Sequence, residues 1–143
     1  MRILGVDFGE KRTGISVSDA LGMTAQGVKT IFESYPPKVA KNVAELSKEL
    51  SAEKIVVGLP KNMDGTIGFR GEATLAFIEE LKKVTDLPIL TWDERLSTVS
   101  AIKSLNETNT RGKKRKEVVD TVAAMYILQN YLDSIQAQRG RII

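Results

Sequence analysis

Carboxylates at separated points of the chain carry its most suggestive chemistry. Asp7 closes the apolar stretch Ile3-Leu4-Gly5-Val6 and is followed by Phe8-Gly9-Glu10-Lys11-Arg12-Thr13-Gly14. An acid placed there leaves a sheet edge for a glycine-opened turn, where a cation or phosphate can approach the backbone. Asp93-Glu94 ends a second apolar stretch, and Asp120 lies early in an apolar C-terminal segment. Acids gathered by a fold are what a hard divalent cation requires, since Mg²⁺ takes oxygen ligands and keeps several waters. The sequence has no histidine and no cysteine. Imidazole bases, Ser-His triads, thiol nucleophiles, disulfides and zinc–thiolate sites are therefore excluded, and chemistry falls to carboxylates, Lys, Tyr and hydroxyls.

The elements that must position these acids follow from periodicity. Residues 2–7 read as a buried strand, Thr13–Ser18 alternates through Ile15 and Val17, and a third strand is expected over about 24–32 after the turn Asp19-Ala20-Leu21-Gly22. These form an antiparallel meander. Tyr35-Pro36-Pro37 then starts a helix whose Val39, Val43, Leu46 and Leu50 share one face. A buried strand at 54–59, a turn-rich loop at 61–68, a helix at 71–84 and a strand at 88–92 come next. A short helix at about 96–105, a basic loop and a long helix at 117–134 complete the order. Strands joined through helices run parallel, so the expected fold class is α/β, a mixed sheet flanked by helices.

With 143 residues, 42% hydrophobic and 27% charged, the chain suits one globular domain spanning 1–143. No apolar run is long enough to span a bilayer and a strand begins at once at the N-terminus, so a cytoplasmic protein without membrane contact is expected. The net charge of +3 is modest, but Arg111, Lys113, Lys114, Arg115 and Lys116 cluster together. Such a run serves equally as a solvated loop or as a contact to phosphate backbone.

Four ordered motifs carry a family resemblance. Gly5-Val6-Asp7-Phe8-Gly9-x-x-Arg12-x-Gly14, Gly58-Leu59-Pro60-x-Asn62-Met63-Asp64-Gly65-x-x-Gly68, Asp93-Glu94-Arg95-Leu96-Ser97-Thr98 and Val119-Asp120-x-x-Ala123-Ala124-x-x-Ile127-Leu128-Gln129-x-Tyr131-Leu132 resemble the YqgF (RuvX) family from end to end. The resemblance implies a ribonuclease H-like fold with a five-stranded mixed sheet in the order 3-2-1-4-5. It also implies a metal-dependent nuclease acting on the 5′ end of precursor 16S ribosomal RNA, with Mg²⁺ or Mn²⁺ as cofactor. An older label for the family names a Holliday junction resolvase, so branched DNA is the alternative substrate. Ribosomal particles are the expected setting, and the expected state is a monomer or weak homodimer.

In that chemistry two ions about 3.5–4 Å apart clamp the attacking and leaving oxygens of an in-line displacement. The resemblance makes Asp7 the bridging ligand, with Glu94 and Asp120 completing the catalytic set. Asp93 remains open as the metal ligand in place of Glu94: successive strand side chains face opposite ways, so at most one of the two reaches Asp7. Glu94 is preferred because its longer side chain must cross two strand spacings, roughly 10 Å. Ala123-Ala124 should let the last helix lie close to the sheet, although an acid in a helix's first turn is also favourable on its own. Arg12, Asn62 and the basic residues Arg111, Lys113, Lys114, Arg115 and Lys116 are candidate nucleic-acid contacts. Arg95 is a candidate partner for the carboxylates, and Trp92 is expected to pack in the core.

Two departures matter. Related junction resolvases carry an acid at the end of the fourth strand, where this chain has Gly58-Leu59-Pro60, and another three residues after the helix aspartate, where it has Ala123. Both weaken the resolvase label and leave three acidic positions; Asp64-Gly65 reads as a turn. Two other classes compete. An Asp-x-Gly hairpin also opens phosphate-binding domains of actin-like and sugar-kinase ATPases, which need two such domains. A ribosome-assembly factor that binds RNA without cleaving it would need only the basic cluster.

Overall fold

The computed structural model describes residues 1–96 and 113–142. Five strands, β1 (Arg2–Asp7), β2 (Thr13–Ser18), β3 (Ala25–Ile31), β4 (Ala52–Leu59) and β5 (Ile89–Asp93), form one sheet in the order β3-β2-β1-β4-β5. The β1–β2 and β2–β3 pairs are antiparallel, while β1–β4 and β4–β5 are parallel. The meander, the mixed sheet and the expected order are all as the sequence implied.

Alternation along the strands divides the molecule into two apolar layers. Leu4, Val6, Ile15, Val17, Ile55 and Val57 pack beneath α1 (Pro36–Glu49) and α2 (Phe69–Lys82), against Val39, Val43, Phe77 and Leu81. Ile3 and Val56 face the other way, onto Ala123, Ile127, Leu128 and Leu132 of α3 (Lys113–Ile142). Helix α1 begins on Pro36-Pro37 because a fixed φ and a missing N–H cost nothing in a first helical turn. Phe8 stacks on Phe77 with ring centroids 4.4 Å apart, which anchors the chain directly after Asp7.

α3 lies close to the sheet because the sheet beneath it lacks side-chain bulk. A Cβ on Gly5 would meet Leu128 Cβ at 2.8 Å and the Ala124 carbonyl oxygen at 3.1 Å. Ser16 Oγ donates to the Ala124 carbonyl at 2.8 Å, and Gln129 ties the helix to the β3 margin by accepting from the Ala25 amide at 2.9 Å. The small residues expected on the helix side thus meet glycine and serine on the strand side.

Helix boundaries differ from expectation: α2 runs two residues earlier at both ends than the 71–84 expected, and α3 continues to Ile142 rather than ending at 134. α3 begins at Lys113 rather than at residue 117, so Lys113, Lys114, Arg115 and Lys116 belong to its first turns and not to a loop. Lys and Arg are good helix formers; the run lacks only the apolar residues by which periodicity detects a helix. Asp120 consequently sits about two turns into the helix, and stabilisation by the dipole at the N-terminus no longer accounts for an acid there. Arg111 and the expected helix at 96–105, apart from Leu96, lie outside the described residues. Among the described residues no helix is long and apolar enough to cross a membrane.

Candidate metal and nucleic-acid site

Asp7 continues the parity of Ile3 and Gly5 and so faces α3. Its partner across β2 is Gly14, and on β4 Gly58 stands one step beyond the Val6–Val57 pair. Gly58 pairs in turn with Trp92 on β5. Asp7 therefore stands between glycines on both neighbouring strands, in a trough that any larger residue would fill.

The other acids close over those glycines. A Cβ on Gly14 would collide with the Asp120 carbonyl oxygen, 2.6 Å from its carbonyl carbon and 3.3 Å from the Asp120 Cβ. A Cβ on Gly58 would lie 3.3 Å from Glu94 Oε2 and against the end of Ile127. Directly opposed side chains on neighbouring strands start only about 4.5–5.5 Å apart, so the row brings Asp120 and Glu94 to either side of Asp7. All three are withdrawn from water, with residue exposures of 7% for Asp7, 2% for Glu94 and 8% for Asp120.

Asp93 is not part of this group. Trp92 faces α3, where it meets Tyr131 edge-on at 6.3 Å, so Asp93 one residue later points to the opposite face. The strand then ends, and the short 3-10 turn Glu94–Leu96 swings Glu94 back over Gly58. Asp93 instead grips Arg95, whose Nη2 and Nε donate to it at 2.8 and 3.2 Å, and lies 3.9 Å from Lys61 Nζ. The Arg95 guanidinium, before any other influence, holds the Asp93 carboxyl below its ordinary range. Below neutrality this pair persists until the pH falls through that lowered value.

Arg12 Nε donates to Asp120 Oδ2 at 2.7 Å, and a Cβ on Gly9 would collide with the Arg12 carbonyl, so the glycine is what lets the turn close tightly enough to deliver Arg12. Asn62 is engaged within its own loop: its Nδ2 donates to Thr66 Oγ1 at 2.9 Å, while its amide and the Thr66 carbonyl join at 2.9 Å. Asp64 forms the expected turn, accepting from the Thr66 amide at 3.0 Å beside Gly65 at φ +90°. The acids were visible in the sequence, and Gly14 and Gly58 appeared there as motif positions but without their role beneath the acids. Their offset from Asp7 along neighbouring strands was the available signal.

An all-oxygen donor set of three shielded carboxylates fits a hard divalent cation by its chemistry. Among the described residues no three acids converge at ligand distance in the present conformation. Asp120 is turned toward Arg12, whose guanidinium is the cation this carboxylate currently holds.

A mixed sheet in the order 3-2-1-4-5 flanked by helices, with acids at the end of β1, just after β5 and on the crossing helix, is the ribonuclease H-like fold. The same fold is seen in the Thermus thermophilus RuvC structure in complex with Holliday junction substrate: TM-score 0.59 and 12% identity, covering 96% of either chain. The family model described as "RuvX: Holliday junction resolvase" matches residues 1–134, and the chain belongs to that family. A Desulforamulus reducens protein named "Putative pre-16S rRNA nuclease" is 52% identical over 134 residues, 94% of this chain and 98% of the relative. An Acetivibrio thermocellus protein of the same name is 48% identical over 145 residues and covers both chains fully.

Proposed function

We propose that the protein is a metal-dependent nuclease that processes the 5′ end of precursor 16S rRNA in the cytoplasm, with Asp7, Glu94 and Asp120 holding Mg²⁺ or Mn²⁺. The observation that carries this reading is the row of Gly14, Asp7 and Gly58 with Asp120 and Glu94 closing over its ends. The substrate comes from the names of the relatives at about half identity. When bound, the cation supplies a Lewis acid for a phosphoryl oxygen and lowers the pKa of a water. Asp7 would be the central ligand, with Glu94 and Asp120 holding from either side, and the buried floor would limit competing solvent. Were Asp120 to turn from Arg12, the freed guanidinium would be available to a substrate phosphate. Lys113, Lys114, Arg115 and Lys116 open α3 at the end where the helix dipole favours anions, a disposition that a bound phosphate backbone would relieve.

The test is cleavage by purified protein with Mg²⁺ or Mn²⁺ of a precursor rRNA 5′ segment, single-stranded RNA and a four-way DNA junction. Cleavage of the precursor in preference to the junction supports the proposal. Junction cleavage alone would transfer the site to DNA, as the family description suggests, and RNA binding without cleavage of any substrate would make the protein an assembly factor. Glu94→Gln should lower turnover by about 10²–10³-fold, the range for losing one charge-stabilising group, whereas Asp93→Asn should lower it by about tenfold or less. The reverse ranking would make Asp93 the ligand. Arg12→Ala should weaken RNA binding evenly across sequences and reduce the salt slope by about 1, without weakening Mn²⁺ binding. An unchanged salt slope would remove Arg12 from the phosphate contacts.

A further inference from the structure

Arg95 follows Glu94 in the same 3-10 turn, yet its side chain reaches back to the loop after β4. Its backbone amide donates to Asp93 Oδ1 at 2.9 Å, and its Nη2 donates to Oδ2 at 2.8 Å. Nη1 is left to donate to the Met63 carbonyl at 3.1 Å, and the guanidinium lies along Gly65, where a Cβ would stand 3.5 Å from Nη1. The pair lies at the surface, so its contribution comes from the fixed geometry of the fork rather than from shielding of the charges.

The loop it grips is already closed upon itself. Gly65 donates its amide to the Asn62 carbonyl at 2.9 Å, and Asp64 Oδ1 accepts from both the amide and hydroxyl of Thr66. Its tip carries Met63, 89% exposed. A tight turn alone fixes its internal shape but not its orientation to the sheet. Arg95 supplies that orientation through one side chain whose own backbone continues directly into Glu94.

We propose that Arg95 is a positioning residue: anchored by Asp93, it locks the 62–66 turn against the end of β5 and fixes the backbone that presents Glu94 to the Asp7 trough. The turn and the acid thus move as one unit. A lysine cannot reproduce this, because a single ammonium lacks the fork that serves Asp93 and Met63 in fixed relative directions.

This inference rests on the nuclease reading for its catalytic consequence, but its first test does not. Amide exchange followed by NMR on the metal-free chain should show protection of Gly65 and Asn62 falling about tenfold or more in Arg95→Ala, with the β1 and β4 amides unaltered, as expected for a local opening. Arg95→Lys should fall between the two. A titration with Mn²⁺ should show weaker binding by about 10–100-fold, the usual cost of removing a group that orients a ligand. Asp93→Ala should reproduce both effects, and Asp93→Ala/Arg95→Ala should be no worse than either single change, since the two act as one device. Unchanged protection at Gly65 and Asn62, unchanged Mn²⁺ binding, additive losses in the double variant, or a loss of protection spread evenly over the sheet would each overturn the proposal. If no substrate is cleaved, exchange and Mn²⁺ binding still decide whether Arg95 positions the turn and Glu94.

Discussion

Asp7→Asn is expected to reduce metal-dependent RNA cleavage by at least about 10³-fold, which corresponds to roughly 4 kcal/mol of transition-state stabilisation. The substitution preserves volume and removes only the charge. At 7% exposure, in a trough bounded by Gly14 and Gly58, Asp7 is the central one of three carboxylates. Neutralising it leaves Glu94 and Asp120 on opposite sides with nothing between them to share a cation. Stability should respond differently. The substitution keeps the shape of the side chain, so the metal-free variant should fold and melt close to the parent's temperature. The upward shift that saturating Mn²⁺ gives the parent through linkage should disappear. Cleavage within tenfold of the parent's would sink the metal–carboxylate mechanism, whatever the melting temperature.

Gly14→Ala should produce the largest loss of stability of any single methyl addition near the site. The new Cβ would overlap the Asp120 carbonyl oxygen and sit 2.6 Å from its carbon. Both belong to helix backbone, so neither can rotate aside. Overpacking ordinarily costs about 1–3 kcal/mol, and an obstacle of backbone places this case near the upper end, a fall in melting temperature of roughly 10 °C. Relief requires α3 to lift from β2 and carry Asp120 away from Asp7, and a misplacement of about 1 Å can cost about 10²-fold in rate. Gly58→Ala provides the comparison. Its closest obstacle is the terminal methyl of Ile127, which can move; it should melt closer to the parent while still crowding Glu94. Thermal unfolding and turnover measured together decide the matter. Equal melting temperatures for Gly14→Ala and the parent would show that α3 is not held against β2 as described.

How far the sequence alone reached depends on which residues one considers. The apolar strand before Asp7, the proline start of α1 and the small residues after Asp120 were all local signals, and they led to the meander, the mixed sheet and the candidate acids. The sheet order and the grouping of the acids came instead from the family resemblance. Glu94 was preferred to Asp93 on reach alone, because alternation forbids both but selects neither; which of the two side chains turns toward Asp7 depends on the end of β5 and the grip of Arg95 on Asp93. The start of α3 was misplaced because Lys and Arg favour helix without providing an apolar stripe. The roles of Gly14 and Gly58 depend on strand register, which no single segment encodes. Arg12 was read as a phosphate contact from its turn, but its pairing with Asp120 joins residues 108 positions apart.

That separation has a consequence for when the protein becomes active. Asp7 ends β1, whereas Asp120 is delivered by α3, which follows all five strands along the chain and packs on the face that Ile3 and Val56 share. Contacts between such distant segments form late, because the intervening chain must first be ordered. A nascent chain still lacking α3 holds at most two of the three acids and exposes the glycine-lined trough without its cover. Under the proposed function, an enzyme made on ribosomes and directed at ribosomal RNA therefore stays inert until α3 has docked on the sheet.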